Sequence, residues 1–191
     1  MEYIVEKIGM SRTITVPSKP VTLLRVLDAK VCVVNEGTAI VSYNSGKKMN
    51  KAIQGQQKKY SISSEFNRFA TLEVANTEAG DIDLTPLVEA TVLRSTFTTK
   101  GRGFTGGMKR WNFGGGPGSH GHRFGRRIGS IGMAEWPGRV MKGKKMPGQH
   151  GNTQNSVKNE IVSYDAENKI IAVLGSVSGA NGALGRVKVA S

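Results

Sequence analysis

The pattern of apolar and polar positions predicts short β-strands, separated by Gly, Pro, Asn and Asp, over most of the first 95 residues. Residues 38–43 alternate apolar and polar side chains, as a strand with one buried face does, whereas residues 31–34 are apolar throughout, which is typical of a strand buried on both faces. The predicted strands are 3–7, 21–27, 31–34, 38–43, 70–74 and 90–93. Residues 49–60 lack proline and predict a short surface helix. We therefore expect a mainly β fold built on a barrel.

The same pattern returns near the C-terminus. Residues 161–164 and 169–174 predict a hairpin, because the linking loop contains Asn168, which tolerates a left-handed conformation. Residues 186–189 alternate apolar and basic side chains and are interpreted as an edge strand, either lying over RNA or protected from aggregation by its charge. We expect one barrel, formed by residues 1–95 and completed by 154–191, that is interrupted by a long loop at 96–153.

Composition limits the class of protein. The 191 residues include only 38% hydrophobic residues but 25 glycines, so part of the chain is expected to build no core. The single cysteine, Cys32, excludes an intramolecular disulfide and is interpreted as a buried strand thiol. Glu2 and Glu6 stand where a signal peptide would be basic, and no apolar run is long enough to span a bilayer, so a soluble cytoplasmic protein is expected.

The net charge of +13 attracts polyanions, which include nucleic acids and anionic membranes. Residues 100–150 hold 11 of the 27 Lys and Arg residues, 15 of the 25 glycines, all three histidines, both tryptophans and a single acid, Glu135. Glycine allows close approach of backbone to a surface, Arg and Lys bind phosphates, and planar rings stack on unpaired bases. The segment therefore predicts an RNA-binding loop. A solvated, disordered basic tract is the open alternative, although the planar residues argue against it.

The candidate RNA-binding residues are the cationic and planar side chains of this loop. They are Lys100, Arg102, Lys109, Arg110, Trp111, Phe113, His120, His122, Arg123, Arg126, Arg127, Arg139, Lys142, Lys144, Lys145 and His150.

Three motifs in the loop resemble enzyme sites, and each fails on its context. Gly-x-Gly-x-x-Gly at 101–106 matches a dinucleotide fingerprint, but the glycine-rich segment after it is not expected to open a regular helix. Gly-x4-Gly-Lys at 138–144 resembles a phosphate loop, but Lys145 stands where a Ser or Thr is required. His120, His122 and His150 could ligate a metal, but their cationic neighbours oppose a dication. We therefore expect no catalytic residues, cofactor or metal.

Five segments of the chain have a distinctive sequence: Lys7-Ile-Gly-Met-Ser-Arg12, Lys100-Gly-Arg-Gly-Phe-Thr-Gly, Met108-Lys-Arg-Trp-Asn-Phe, Gly129-Ser-Ile-Gly, and Pro137-Gly-Arg-Val-Met-Lys-Gly-Lys-Lys-Met-Pro-Gly-Gln-His-Gly-Asn152. In their order and spacing they resemble the bacterial-type large-subunit ribosomal protein L3 family. The similarity is close over residues 94–175 and looser in the N-terminal part, where the chain is short between Gly46 and Phe66.

This resemblance implies a barrel of the translation-protein type on the surface of the large ribosomal subunit, bound to large-subunit (23S-type) rRNA. It further implies that the loop reaches toward the peptidyl transferase centre, that ribosomal proteins such as L14 and L19 are neighbours, and that the protein acts early in subunit assembly. No membrane partner and no small-molecule substrate are implied. The loop tip near the peptidyl transferase centre would consist of Gly132, Met133, Ala134, Glu135 and Trp136.

The chain departs from the family pattern at the tip. Many bacterial relatives carry a glutamine there that can be N-methylated, and Glu135 occupies the corresponding position in this chain, so that modification is not expected. Two other classes of function remain open at this point. One is a free RNA-binding or RNA-chaperone protein that uses the same loop, and the other is an enzyme whose site the sequence does not reveal.

Overall fold

The computed structural model describes residues 1–35, 37–46 and 48–190. Within them, no helix is long and apolar enough to cross a membrane. The strands are β1 (Glu2–Arg12), β2 (Pro20–Val26), β3 (Ala29–Asn35), β4 (Thr38–Tyr43), β5 (Arg68–Leu72), β6 (Gly80–Asp81), β7 (Val92–Thr98), β8 (Phe104–Thr105), β9 (Gly148–Gln149), β10 (Gln154–Asp165), β11 (Ile170–Leu174) and β12 (Leu184–Val189), and the helices are α1 (Lys51–Tyr60), α2 (Thr85–Val88) and α3 (Gly107–Trp111).

The strands β1, β12, β7, β10, β11 and β2 close into an antiparallel barrel in that order. The prediction of a mainly β protein with a barrel is confirmed. The prediction that residues 186–189 form an edge strand is wrong, because Val187 pairs with Tyr3 of β1 on one side and with Ser95 of β7 on the other. Closure joins strands from the two ends of the chain, which a local alternation of apolar and basic residues does not reveal.

The barrel interior follows from the alternation of side chains along each strand. Leu93, Phe97 and Val187 are buried in one hydrophobic cluster with residues from the other barrel strands. Phe97 lies directly across from Gly185 on β12, and a Cβ at Gly185 would come within 2.5 Å of the Phe97 ring. Glycine at this position therefore makes room for the aromatic ring.

A second antiparallel sheet, in the order β5, β4, β3 and β6, lies outside the barrel. Its apolar residues form a separate cluster with Ile4, whereas Tyr3 and Val5, the neighbours of Ile4 on β1, belong to the barrel cluster. Strand β1 is thus buried on both faces. The expectation that one barrel contains all of the N-terminal strands is therefore too simple, because apolar alternation indicates a buried face but not which sheet covers it.

Cys32 departs from the sequence interpretation, because it is half-buried rather than buried. The pairing of β3 with β4 shifts register between Val31 and Val33, and Cys32 next to the buried Val31 is the extra residue of this bulge. Burial still raises the pKa of the Cys32 thiol above its ordinary value.

The predictions of a helix at 49–60 and of a C-terminal hairpin are both confirmed. Helix α1 begins after Asn50, whose side-chain oxygen accepts a hydrogen bond from the backbone N–H of Ile53 at 2.9 Å. In the hairpin between β10 and β11, Asp165 Oδ1 accepts hydrogen bonds from the backbone of Glu167 and Asn168. The left-handed residue of this turn is Lys169, with φ 55°, rather than Asn168.

The chain divides into two compact units. One contains Met1–Thr99 together with the strands from Gln154 onward, and therefore the barrel and the second sheet. The other is Lys100–Thr153, here called the loop unit, which contains β8, α3 and β9.

Candidate nucleic-acid interface

The two ends of the loop unit are held together by a short antiparallel ladder. Phe104 pairs with Gln149, and Thr105 pairs with Gly148. Beyond these strands, the backbone N–H of Arg102 donates to the carbonyl of His150 at 2.8 Å, and the N–H of His150 donates to the carbonyl of Gly103 at 2.9 Å. Two of the predicted RNA-binding residues, Arg102 and His150, therefore lie side by side at the base of the loop unit.

Glycine at the base permits a close approach of the two chain segments. Gly151 has φ 73°, and a Cβ there would overlap the carbonyl oxygen of Lys100 and lie 3.1 Å from its carbonyl carbon. Gly103 has a similar φ of 65° but faces open space. Of these two glycines, only Gly151 combines the left-handed conformation with a backbone contact that excludes a side chain.

A short helix follows the base, contrary to the expectation that the glycine-rich segment could not open one. Helix α3 comprises only Gly107–Trp111 and ends at Asn112, a left-handed residue with φ 60° whose N–H donates to the carbonyl of Met108. Lys109 and Arg110 lie in its last turn, where a positive charge is favourable. The dinucleotide interpretation still fails, because the strand before the helix has only two residues and pairs in an antiparallel ladder.

Helix α3 brings three predicted RNA-binding residues together around one carbonyl. Arg110 Nη1 and Trp111 Nε1 both donate to the carbonyl oxygen of Met146 at 2.8 Å. The Arg110 guanidinium lies 4.9 Å from the Trp111 ring centroid, and Lys145 Nζ lies 5.7 Å from it. Trp111 keeps 38% of its surface exposed, so part of the ring is free to meet a ligand. These contacts fix the orientation of the ring before any ligand binds.

A small packed region supports this arrangement. Gly107 is buried, and a Cβ at Gly107 would overlap Ile128 Cγ2 and lie 2.8 Å from Phe113 Cδ2. Phe113 is half-buried, so its role includes packing within the loop unit. Further along, the N–H of Gly116 donates to the carbonyl of Gly125 at 2.8 Å.

The cations of the loop unit are solvent-exposed, except Arg110, which is half-buried. Among the described residues, no carboxylate lies within ion-pair distance of any of them, because the observed ion pairs all belong to the other unit. The exposed cations are Lys100, Arg102, Lys109, Arg123, Arg126, Arg127, Arg139, Lys142, Lys144 and Lys145. The loop unit thus presents concentrated, uncompensated positive charge to solvent.

The three histidines have different surroundings. His120 and His122 are exposed, and the His122 ring meets Phe124 edge-on with ring centroids 6.2 Å apart. His150 is half-buried, and its Nδ1 atom is buried without a hydrogen-bond partner among the described residues. No group of three His, Cys, Asp or Glu residues in the described part of the chain could hold a metal ion.

The predicted tip residues Gly132, Met133, Ala134, Glu135 and Trp136 are all exposed. Met133 and Trp136 expose 76% and 85% of their surface, which is costly for large apolar side chains in water. Gly138 has φ 67° and follows the tip. The tip therefore offers an aromatic ring and a thioether, groups suited to packing against bases rather than binding phosphate.

Sequence reasoning missed further exposed apolar residues of the loop unit. Phe104 exposes 77% of its surface, Met141 57% and Phe124 36%. The alternation of β8 places Thr105 inside and Phe104 outside, which is the reverse of what the hydrophobicity of the two residues predicts, so the sequence gives no signal for the exposure of Phe104. These residues add planar and apolar surface among the cations.

Comparison with known proteins agrees with this description. The family model for ribosomal protein L3 matches residues 89–169. The large ribosomal subunit protein uL3 of Wolinella succinogenes is 67% identical over 99% of both chains, and that of Campylobacter jejuni is 66% identical over the full length of both. The corresponding protein of Helicobacter hepaticus is 61% identical over 99% of both chains. The fold, the cationic loop unit and these full-length similarities together identify the chain as a member of the ribosomal protein L3 (uL3) family.

Proposed function

We propose that this chain is a structural constituent of the large ribosomal subunit in the cytoplasm, where it binds large-subunit rRNA through the loop unit. The observation that carries the proposal is the set of exposed cations without carboxylate partners among the described residues. Family membership supports it, because the relatives bear the name of a large-subunit protein. RNA supplies the phosphates that such a surface needs.

The cations and rings of the loop unit have separate parts in this proposal. Arg and Lys side chains neutralise phosphates and thereby fix the position of the loop on the RNA. Trp111, already oriented by Met146 and Arg110, presents a ring face on which an unpaired base can stack. The glycines keep the backbone thin, so that the loop can follow a narrow path between RNA segments.

We further propose a division of labour along the loop unit. Basic clusters at 123–127 and 139–145 flank the tip on both sides and repel each other unless phosphates lie beside them, so they serve assembly. The tip, with Met133 and Trp136 exposed, buttresses nucleotides of the peptidyl transferase centre, while the RNA itself performs the reaction. Ribosomal proteins L14 and L19 are the proposed protein neighbours. The chain is proposed to have no enzymatic activity of its own.

Salt-dependent binding tests the RNA-binding role. In one variant, Arg126, Arg127, Lys144 and Lys145 are replaced by Gln, and in the control, Lys48, Lys51, Lys58 and Lys59 at and near α1 are replaced by Gln, which changes the net charge equally. The dissociation constant for protein-free large-subunit rRNA is measured between 50 and 200 mM salt. Because each phosphate contact contributes about 0.7 to 0.9 to the slope of log affinity against log salt, the loop variant should lose about 3 from that slope.

The control variant should keep the wild-type slope. Equal slopes for the wild type and the loop variant would refute binding through these cations.

Measurements of subunit yield and of the rate of peptidyl transfer distinguish the role of the basic clusters from that of the tip. Deletion of residues 132–136 should leave the yield of large subunits near the wild-type level but change the rate of peptidyl transfer, whereas the fourfold Gln variant should lower the yield. The opposite result, with no particles from the deletion and normal particles from the charge variant, would reject the division of labour.

A free RNA-binding or RNA-chaperone protein is the alternative function. Co-sedimentation distinguishes the two, because a structural constituent stays with the large subunit through a high-salt wash and a transient binder is released.

A further inference from the structure

The outer face of the barrel carries a row of cations, of which the sequence analysis singled out only those at 186–189. In the ladders that join β10, β7 and β12, Lys158 pairs directly with Arg94, and Arg94 pairs directly with Lys188. Three positive side chains therefore stand next to one another on three adjacent strands. Directly opposed residues on one face of a sheet have Cβ atoms about 4.5 to 5.5 Å apart.

A fourth cation lies in the neighbouring row. Arg186 pairs with Thr96, and Thr96 pairs with Ser156, whose hydroxyl hydrogen-bonds to that of Thr96 at 2.7 Å. Leu93, Ser95 and Phe97 of β7 and Val187 of β12 are buried, so the residues that alternate with them face outward. Arg94, Lys158 and Arg186 are all exposed.

Among the described residues, an ion pair compensates only one end of this row of cations. Lys188 pairs with Glu73 at 2.6 Å, and Glu2 stands opposite it on β1. Glu160 lies on β10 one row beyond Lys158, opposite Val92. Within the described residues, no carboxylate comes within ion-pair distance of Arg94, Lys158 or Arg186.

Such an arrangement is unfavourable in the free protein. Like charges directly opposite each other across a ladder destabilise a sheet, and here Arg94 has a lysine on each side. A bound polyanion makes the electrostatic energy of these three side chains favourable, because each phosphate placed between them is attracted by two or three of them.

We propose that Arg94, Lys158 and Arg186 form a second RNA-binding surface, here called the barrel face, which binds the sugar-phosphate backbone independently of the loop unit. The hydroxyls of Thr96 and Ser156 lie in the adjacent row and can donate to phosphate oxygens or ribose hydroxyls. An acidic protein partner fits less well. The two rows of the barrel face from β12 to β10 contain only cations and hydroxyls, whereas the centre of a protein interface needs apolar or aromatic anchors.

The test is RNA binding by the full chain with Arg94, Lys158 and Arg186 replaced by Gln. The matched control replaces Lys51, Lys58 and Lys59 of α1, which are exposed cations on another surface, by Gln. Protein-free large-subunit rRNA is the probe, and the dissociation constant is measured at 50 and 200 mM salt. Three lost phosphate contacts reduce the salt slope by about 2 to 2.7, so the wild type should lose about 20- to 40-fold more affinity than the barrel-face variant over this interval.

The control variant should have the same affinity and the same salt slope as the wild type. The barrel-face variant should also melt at or above the wild-type temperature, since removal of like-charge contacts does not weaken the free barrel, and this readout distinguishes lost binding from misfolding. The proposal is overturned if the barrel-face variant matches the wild type in affinity and slope, which is also the result expected of a surface for an acidic protein. It is equally overturned if the control loses as much as the variant. A wild-type protein that failed to bind this RNA at all would instead count against the proposed function of the loop unit.

Discussion

Replacement of Gly151 by Ala should weaken RNA binding, because the added Cβ prevents the close approach of the two chain segments at the base of the loop unit. The new Cβ would overlap the carbonyl oxygen of Lys100, which belongs to the backbone and cannot rotate away. The two segments must then separate, which strains the hydrogen bonds between Arg102, Gly103 and His150. Overpacking of this kind costs about 1 to 3 kcal/mol.

Gly103→Ala is the matched control. Both glycines have a left-handed backbone, with φ 73° at Gly151 and 65° at Gly103, so the conformational cost of alanine, about 1 to 2 kcal/mol, is common to both variants. No atom lies within 4 Å of a Cβ at Gly103, and the difference between the two variants therefore isolates the contact with Lys100.

The assay is the dissociation constant of the full chain for protein-free large-subunit rRNA at one salt concentration. If only the closed base binds and the base is open in most free molecules of both variants, apparent affinity falls by the full factor by which closure is weakened. A difference of 1 to 3 kcal/mol corresponds to about 5- to 150-fold, so Gly151→Ala should bind that much more weakly than Gly103→Ala. Urea unfolding of the barrel confirms that both variants are folded. Affinities within twofold of each other would refute the reasoning.

Two further predictions concern the barrel itself. Gly185→Ala should destabilise the protein by about 1 to 3 kcal/mol in urea unfolding, because the added Cβ meets the buried ring of Phe97, whereas Gly9→Ala, with a nearest contact of 3.7 Å, should be nearly neutral; equal midpoints would contradict this. Burial raises the pKa of Tyr3, whose hydroxyl donates to the carbonyl of Asp83, from 10.0 to about 12. The tyrosine of the unfolded chain therefore ionises at a lower pH than that of the folded protein. The stability that this group contributes is complete below pH 10 and is lost as the pH rises toward 12. Tyr3→Phe should therefore lose less stability than the wild type between pH 10 and 12, and parallel curves would show that another group causes the decline.

Local patterns in the sequence predicted individual elements well. The strand predicted at 38–43 has the same bounds in the structure, and the capping residue Asn50 gives the helix near 49–60 a clear start. Strand β1 was predicted only at 3–7 but extends to Arg12, and the apolar residues of its second half, Ile8 and Met10, are exposed rather than buried. Strand β7 was predicted at 90–93 and lies at Val92–Thr98, because its polar residues Ser95, Thr96 and Thr98 obscure the pattern.

Local patterns in the sequence could not predict which strands pair with one another. The contact of β1 with β12, the second sheet outside the barrel and the cation row across β10, β7 and β12 all depend on which distant strands become neighbours. The loop cations could be read from composition, because unpaired charge is visible in the sequence itself. The positions of Arg110 and Trp111 around Met146 could not be predicted from the sequence. Helix α3, which positions them, has barely more than one turn and no apolar periodicity that would reveal the helix.

The place of β7 in the barrel sets an order of events during synthesis. Its two ladder partners, β10 and β12, both come later in the chain, so β7 has no strand to pair with until residues after 154 have been made. At a synthesis rate of about 5 to 20 residues per second, roughly 2 to 7 seconds separate the completion of the loop unit from the completion of β12. A nascent chain therefore carries its cationic loop before its barrel can close, and a chain truncated before β12 would keep the loop without a closed barrel to support it.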